Sequence, residues 1–253
     1  MSASYRITGR AAPKPSSPAG GESSLCARIR ALFEQIKPRR VIETGTYHGT
    51  GTTRALAEAL RDVSPDAQFV SIEINPRHYA KAVANLRTAK LPVRVINGIS
   101  VPRKLLPTLA QIEQQYVAEV QADGLYVDHD APERAKLYHH ETDYPEIEDD
   151  VLGTALAEFR SKPDVVLLDS GGHVGLVEFQ YVTARLKGPC HVILGGTQHV
   201  RHHRSLTALK ADSRFEVLAK GDERFGFCIA KFSPLAQATQ HPTPTPSPRR
   251  TAA

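Results

Sequence analysis

Cysteine is scarce in this chain, and long apolar runs are missing. The three cysteines, Cys26, Cys190 and Cys228, are an odd number without C-x-x-C spacing, and two of them lie in apolar runs. This pattern predicts reduced, mostly buried thiols. No stretch approaches the roughly eighteen apolar residues of a membrane span, and no apolar run near the N-terminus suggests a signal peptide. We therefore expect a cytoplasmic protein without a membrane partner.

The body of the chain also lacks an excess of either charge sign. The formal net charge is +5, with 41% hydrophobic and 23% charged residues, which is ordinary for a globular protein. Residues 1–21 and 233–253 contain basic residues and no acids, and these two tails account for the whole excess. A surface that binds a phosphate backbone should lie on the folded domain. Nucleic acid is therefore an unlikely partner.

Two tails flank a single domain. Residues 1–21 are rich in Pro, Ser, Gly and Ala and predict a disordered N-terminal arm, and residues 233–253 are rich in Pro, Thr and Ser and predict a disordered tail. Residues 22–232 alternate strand and helix patterns. After a first strand near Val41, strands are predicted at 67–74, 91–97, 164–169, 190–194, 214–219 and 224–232. Helices are predicted at 22–36, after the glycine turn up to Leu60, and at 76–88, 102–120, 151–159, 175–186 and 202–209.

The last two predicted strands are joined by a short Lys-Gly-Asp-Glu connection at 220–223. Such a connection makes a hairpin, so the last strand should run antiparallel to its neighbours. The predicted fold class is α/β, a Rossmann-like, doubly wound, seven-stranded and mostly parallel sheet with an antiparallel C-terminal hairpin strand.

The most informative stretch is Arg40 to Leu60, which predicts a buried strand, a glycine-bearing turn and a helix. A helix that begins at such a turn directs free backbone N–H groups toward an anionic ligand. The order E-x-G-x-x-x-G, from Glu43 through Gly45 to Gly49, does not match the dinucleotide fingerprint G-x-G-x-x-G.

At residues 43–51, E-T-G-T-Y-H-G-T-G, the chain resembles the class I S-adenosylmethionine-dependent methyltransferases, and their O-methyltransferase branch in particular. The resemblance implies that Gly45 lets the backbone pass under the methionine part of S-adenosylmethionine, with Glu43 and Thr46 near its amino and carboxylate groups. Tyr47 and Gly49 complete the implied cofactor loop. The alternative is an ordinary α/β turn that uses glycine for steric reasons alone.

Two further strand ends predict cofactor contacts. Glu73 ends the second strand, where an acid can accept hydrogen bonds from both ribose hydroxyls of a nucleoside; the alternative is a solvated acid. The resemblance implies an adenine contact at Gly98, but the acid that commonly follows this glycine is replaced by Ile99. We therefore expect apolar and backbone contacts to adenine.

Candidate catalytic residues follow the fourth and fifth predicted strands. Asp169 should lie in the crevice at the carboxyl ends of the strands, and the resemblance implies that it faces the methyl donor. His173 and His199 have a suitable pKa range for removing a proton from an acceptor. The resemblance implies that magnesium-dependent members carry an Asp-Asp or Asp-Asn pair where this chain has Gly195 and Gly196. We therefore expect no metal, and open space at the floor of the pocket.

An acidic insertion interrupts the alternation at residues 123–150, where tyrosines and histidines are mixed with acids. An insertion of this kind is typical of a mobile cap over a substrate, and the alternative is a solvated acidic loop. A metal site at His139, His140, Glu141 and Asp143 is disfavoured because adjacent histidines point in different directions. By resemblance, the leading helix at 22–36 should cover the edge of the cofactor pocket.

The resemblance implies an S-adenosylmethionine-dependent methyltransferase that methylates an oxygen of a small molecule or sugar-type metabolite. Two alternatives stay open. One is a cofactor-binding module with reduced catalysis, and the other is an RNA methyltransferase. The neutral body and the absence of an Asn/Asp-Pro-Pro-aromatic motif argue against RNA. The oligomeric state is left open.

Overall fold

The structure, a computed structural model, describes residues 5–7, 24–119, 124–128 and 133–235. The strands are β1 (Tyr5–Ile7), β2 (Arg40–Thr44), β3 (Gln68–Glu73), β4 (Arg94–Asn97), β5 (Tyr126–Asp128), β6 (Val165–Leu168), β7 (Cys190–Gly195), β8 (Phe215–Gly221) and β9 (Phe227–Phe232). The helices are α1 (Ser24–Ile36), α2 (Thr52–Val63), α3 (Pro76–Thr88), α4 (Leu109–Glu119), α5 (Arg134–His140), α6 (Val151–Glu158), α7 (Gly175–Thr183) and α8 (His203–Ala211).

Seven of these strands form one sheet in the order β4-β3-β2-β6-β7-β9-β8. The pairs β2–β3, β3–β4, β2–β6 and β6–β7 are parallel. Strand β9 runs antiparallel to both β7 and β8 because the connection at 222–226 is too short for a crossover. The predicted fold class is confirmed.

Apolar side chains cover both faces of the sheet. In β2, Val41 packs into one apolar cluster and Ile42 into the other, as the two-residue period of a strand requires. Leu56 of α2 belongs to the first cluster and Leu152 of α6 to the second. Helices therefore lie on both faces, and most residues of the central strands β2, β6 and β7 are buried. Among the described residues, no helix is both long and apolar enough to cross a membrane.

The helix predicted at 102–120 is interrupted. A single 3₁₀ turn occupies Arg103–Leu105, and α4 begins only at Leu109. Pro107 explains the break, because a residue before proline avoids helical backbone angles, and Leu106 is extended with ψ 141°.

Parts of the acidic insertion form a small subdomain. Strand β5 pairs antiparallel with β1, and α5 packs against α4. Strand β1 lies within the predicted disordered arm and differs there from the prediction. The rest of that arm, residues 236–253 of the tail, and His129 lie outside the described residues.

The N-terminus of α1 is held by an acidic side chain from the loop between β8 and β9. Glu223 accepts hydrogen bonds from the backbone N of Ser24 at 2.9 Å and of Leu25 at 2.6 Å. These are N–H groups that a helix leaves without internal partners. The carboxylate therefore fixes the start of α1 against the last hairpin.

We predict that Glu223→Ala lowers the unfolding free energy by about 1 kcal/mol, the usual effect of losing a helix cap. Hydrogen exchange at the first turn of α1 should become faster. Glu216→Ala, on the exposed part of β8, is the control. Unchanged exchange at Ser24 to Arg28 in the Glu223 variant would contradict this assignment.

Candidate cofactor and active site

A cavity of about 640 Å³ lies at the carboxyl ends of the parallel strands. Its walls come from the loops after β2, β3, β4 and β6, from the insertion, and from two arginines. The residues that line it include Gly45, Thr46, Tyr47, Gly51, Thr52, Thr53, Glu73, Ile74, Asn75, His78, Gly98, Ile99, Ser100, Leu106, Glu141, Thr142, Tyr144, Asp169, Ser170, Gly171, Val174, Arg201 and Arg224. No residue of α1 is among them, so the expectation that this helix covers the pocket edge is wrong; it packs on α2 instead.

A second cavity, of about 590 Å³, lies at the other end of the parallel strands, where their amino ends are. It is open to solvent, and charged side chains of its wall pair with each other, as Arg40 does with Asp164 at 3.1 Å. Ligands of open α/β sheets bind at the carboxyl ends of the strands. The first cavity is therefore the candidate site.

The turn after β2 requires glycine at one position. Gly45 has φ +83°, and a Cβ there would lie 2.4 Å from the backbone O of Asp169. The loops after β2 and β6 are thus in direct contact, and no other residue fits between them. Gly49, with φ +66°, faces Ala82 and Leu86 of α3 and does not line the cavity. Glycine at this position lets the loop pack closely against α3.

Glu73 lies at the cavity wall and is only 5% exposed. Its Oε2 accepts a hydrogen bond from Tyr47 N at 2.6 Å, and its Oε1 accepts one from Asn75 N at 2.9 Å. Burial raises the pKa of this carboxyl, against the opposing effect of the two amides. Each carboxylate oxygen can accept a second hydrogen bond. Glu73 therefore keeps acceptor capacity for a ligand while it fixes Tyr47 in a left-handed conformation with φ 54°.

Glu43 does not line the cavity, in contrast to its expected contact with the cofactor. It is 1% exposed and accepts a hydrogen bond from Ser71 Oγ at 2.7 Å. The same Ser71 Oγ lies 2.5 Å from Thr46 Oγ1, and Thr46 does line the cavity. Burial raises the pKa of Glu43 to about 8. Glu43 is therefore a neutral acid that supports the cofactor loop from below.

Glu178 is a buried acid that the sequence analysis missed. It is 0% exposed, and it accepts hydrogen bonds from Thr44 Oγ1 and Ser170 Oγ, both at 2.8 Å, with Ser100 as a third hydroxyl partner. Burial raises its pKa. The hydroxyl partners of Glu178 lie at the end of β2 and in the loops after β4 and β6. The sequence offered one signal for this acid, which is that it stands alone inside the apolar helix sequence GLVEFQYV.

Asp169 forms a salt bridge with Arg201 at the cavity wall, with Nη1 and Oδ1 3.2 Å apart. A Cβ on Gly195 would lie 2.5 Å from this Oδ1, and one on Gly196 would lie 3.4 Å from Cδ of Arg201. The expected open space at the pocket floor is therefore wrong, because the ion pair fills it. Burial raises the pKa of Asp169, and the charges of Arg201 and Arg224 oppose this effect.

The two candidate histidines lie behind the cavity wall and do not line it. His173 is 8% exposed, and its Nε2 lies 2.6 Å from Oε2 of the buried Glu119. His199 is fully buried, and its Nδ1 accepts a hydrogen bond from Arg201 N at 3.3 Å. Both side chains thus support the loops that follow β6 and β7. Over the described ranges, no group of three His, Cys, Asp or Glu residues is arranged to hold a metal ion.

The insertion contributes one wall of the cavity. Glu141, Thr142 and Tyr144 line it, and Arg103 Nη2 donates to Tyr144 O at 2.6 Å. Further along, Ile99 N donates to Glu148 O at 2.8 Å. The segment is therefore attached to the loop after β4, on which Gly98, Ile99 and Ser100 face the cavity.

The fold is similar to that of S-adenosylmethionine-dependent O-methyltransferases of known structure. The O-methyltransferase from Bacillus cereus in complex with S-adenosylhomocysteine aligns with a TM-score of 0.51 and 16% identity, over 85% of this chain and 84% of that chain. TomG from Streptomyces achromogenes, an O-methyltransferase in complex with S-adenosylmethionine, aligns with a TM-score of 0.50 and 16% identity, over 85% and 83%. The comparison of the sequence with protein-family models finds no match, and the comparison with curated proteins also finds none. The likeness shows the fold that the motif at 43–51 predicted.

We predict that Glu43→Gln flattens the dependence of stability on pH. The carboxyl has a pKa of about 8 in the folded chain, against an ordinary value of 4.5. Stability from this group is fully present below the ordinary value and is lost as pH rises toward 8, because only the unfolded chain ionises in that window. The slope is at most about 1.4 kcal/mol per pH unit.

Urea unfolding between pH 5 and 8 measures this slope. The difference between wild type and Glu43→Gln isolates Glu43 from the other buried acids, and Glu34→Gln, an exposed residue of α1, should retain the wild-type slope. Parallel profiles for wild type and Glu43→Gln would show that Glu43 is ionised in the folded protein.

Proposed function

We propose that this protein is an S-adenosylmethionine-dependent methyltransferase that transfers the methyl group to an oxygen of a small molecule. The observation that carries the proposal is that the Gly45 turn and the Glu73 carboxylate line the same cavity at the carboxyl ends of β2 and β3. An ordinary structural turn explains neither the retained acceptor capacity of Glu73 nor the open space above Gly45. The shared fold supports this proposal.

We assign the parts of the cofactor to the residues of the cavity, beginning with the nucleoside. Glu73 would accept hydrogen bonds from the ribose hydroxyls, and Gly98, Ile99 and Ser100 would hold adenine. Ile99 would offer an apolar contact, as expected where an acid is missing. Gly45 and Thr46 would hold the methionine part near the start of α2. The backbone N–H of Tyr47 donates to Glu73 and so positions its carboxylate. The side chain of Tyr47 is 57% exposed and is given no role in cofactor binding.

Methyl transfer from a sulfonium is an in-line displacement, so alignment of donor and acceptor in a closed site supplies most of the catalysis. Asp169 accepts the hydrogen bond, and then the proton, of an acceptor hydroxyl. Its burial favours this role, because a raised pKa makes a carboxylate a better base near neutral pH. Arg201 is a positioning residue that holds the carboxylate. His173 and His199 have no part in this proposal because they lie behind the wall.

A small acceptor fits the site better than a nucleic acid chain. Glu141, Thr142 and Tyr144 of the insertion line the cavity, and Glu141 places an acid at this wall, where a phosphate would be repelled. Related folds act in small-molecule chemistry; TomG, for example, is involved in tomaymycin synthesis. The sugar-type acceptor and RNA methylation remain alternative predictions. A binding module without turnover is favoured by one observation, the engagement of Asp169 by Arg201.

Calorimetric titration of the full chain with S-adenosylmethionine, S-adenosylhomocysteine and NAD tests the class. We expect the two sulfur ligands to bind and NAD to bind much more weakly. Release of S-adenosylhomocysteine in the presence of a panel of hydroxylated small molecules then tests turnover. Preference for NAD would refute the proposal, and tight cofactor binding without turnover on any acceptor would favour the binding module.

We predict that Glu73→Gln raises the Kd of S-adenosylhomocysteine by tenfold or more, since hydrogen bonds to a charged group contribute about 1.5–3 kcal/mol. Glutamine also cannot accept from both Tyr47 N and Asn75 N, so the loop loses order. Glu34→Gln, far from the cavity, should bind as the wild type does. Equal affinities for the wild type and Glu73→Gln would exclude Glu73 from ribose binding.

A further inference from the structure

Arg224 lies at the cavity wall, and the chemistry proposed above does not use it. Its Nη1 lies 3.9 Å from the position where a Cβ on Gly51 would stand. Gly51 is the N-cap residue of α2 and offers no side chain to the first turn of that helix. The guanidinium therefore stands beside the loop that carries Gly45 and Thr46.

The backbone at Arg224 is unusual for an arginine. Arg224 has φ 49° and ψ 43°, and Phe225 follows with φ 71°. This left-handed region is tolerated well by glycine and asparagine and poorly by other residues. Strained backbone of this kind clusters at ligand sites, where the surrounding structure enforces it. The conformation of the turn does not require an arginine at this position, so we infer that the function of its side chain does.

The residues around Arg224 hold the turn in place. The carbonyl O of Gly226 accepts hydrogen bonds from Gly196 N at 2.8 Å and Thr197 N at 3.1 Å. Glu223 binds the first amides of α1. None of these bonds uses the guanidinium of Arg224. The turn thus fixes the backbone at Arg224, from which the side chain reaches the cavity wall.

The charge of Arg224 acts on Asp169 and Glu223, but both of these acids are engaged by other partners. Asp169 is already paired with Arg201 at 3.2 Å, and Glu223 is directed toward α1. No salt bridge within the described part of the chain includes Arg224. Burial raises the pKa of Glu43, below the same loop, to about 8. This end of the cavity therefore favours an anionic group.

We propose that Arg224 binds the carboxylate of the methionine part of the cofactor. The assignment rests on the proposed function, because the ribose on Glu73 directs the methionine part over Gly45 toward the start of α2. There the carboxylate meets the guanidinium together with backbone N–H groups of the first helical turn. The last hairpin of the sheet thus recognises the amino-acid end of the donor.

Two ligands separate this contact from the rest of the cofactor site. S-adenosylhomocysteine carries the carboxylate, and 5′-methylthioadenosine retains the adenosine and the sulfur but lacks the amino-acid group. The variants are Arg224→Gly and Arg224→Asn, since both residues accept the left-handed backbone. Arg61→Asn removes the same charge at the far end of α2 and is the matched control.

We expect both Arg224 variants to raise the Kd of S-adenosylhomocysteine by about tenfold or more and to leave that of 5′-methylthioadenosine unchanged in calorimetric titrations of the full chain. Arg61→Asn should change neither. Glycine and asparagine adopt the left-handed backbone with little strain, so we expect the variants to keep thermal midpoints close to that of the wild type. A retained midpoint excludes loss of folding as the cause of a loss of affinity.

The possible failures are distinct. If the wild type binds S-adenosylhomocysteine and both Arg224 variants bind it equally well, the assignment to Arg224 is wrong and the proposed function stands. An equal loss for both ligands would also overturn the assignment, because it would show that Arg224 shapes the whole cavity. If the wild type binds neither ligand, the proposed function fails together with the assignment.

Discussion

The buried carboxylate of Glu178 holds the carboxyl ends of the central strands together, and the candidate site depends on it. Its hydroxyl partners, Thr44, Ser170 and Ser100, belong to the ends of β2 and β6 and to the loop after β4. A buried acid is costly unless it is hydrogen-bonded. The arrangement is therefore stable only when all three loops are in place, which makes the floor of the cavity a single cooperative unit.

A second buried acid supports the neighbouring loop in the same way. Glu43 binds Ser71, and Ser71 contacts Thr46 at the cavity. Neither Glu43 nor Glu178 touches the cavity itself, and burial raises both pKa values. Asp169 and Glu73 stand in front of them and line the cavity. Acids behind the wall position the loops, and acids at the wall are available for binding and chemistry.

The sequence predicted the sheet, its antiparallel last strand and the glycine turn, because these follow from apolar periodicity and local spacing. It also predicted that Glu73 and Asp169 lie at strand ends, where both line the cavity. The positions of Glu43, His173 and His199 could not be predicted, since a strand-end location does not tell which way a side chain points. Arg201 and Arg224 were missed because they reach the cavity from loops that only the tertiary fold brings there.

The contact between Gly45 and the backbone of Asp169 leaves no room for even a methyl group. This part of the cavity floor is consequently closed to any larger residue, whereas the wall with Glu141 and Tyr144 comes from the insertion. On the proposed function, substitutions in the insertion would alter the choice of acceptor while the Gly45 turn, which would hold the cofactor, stays unchanged.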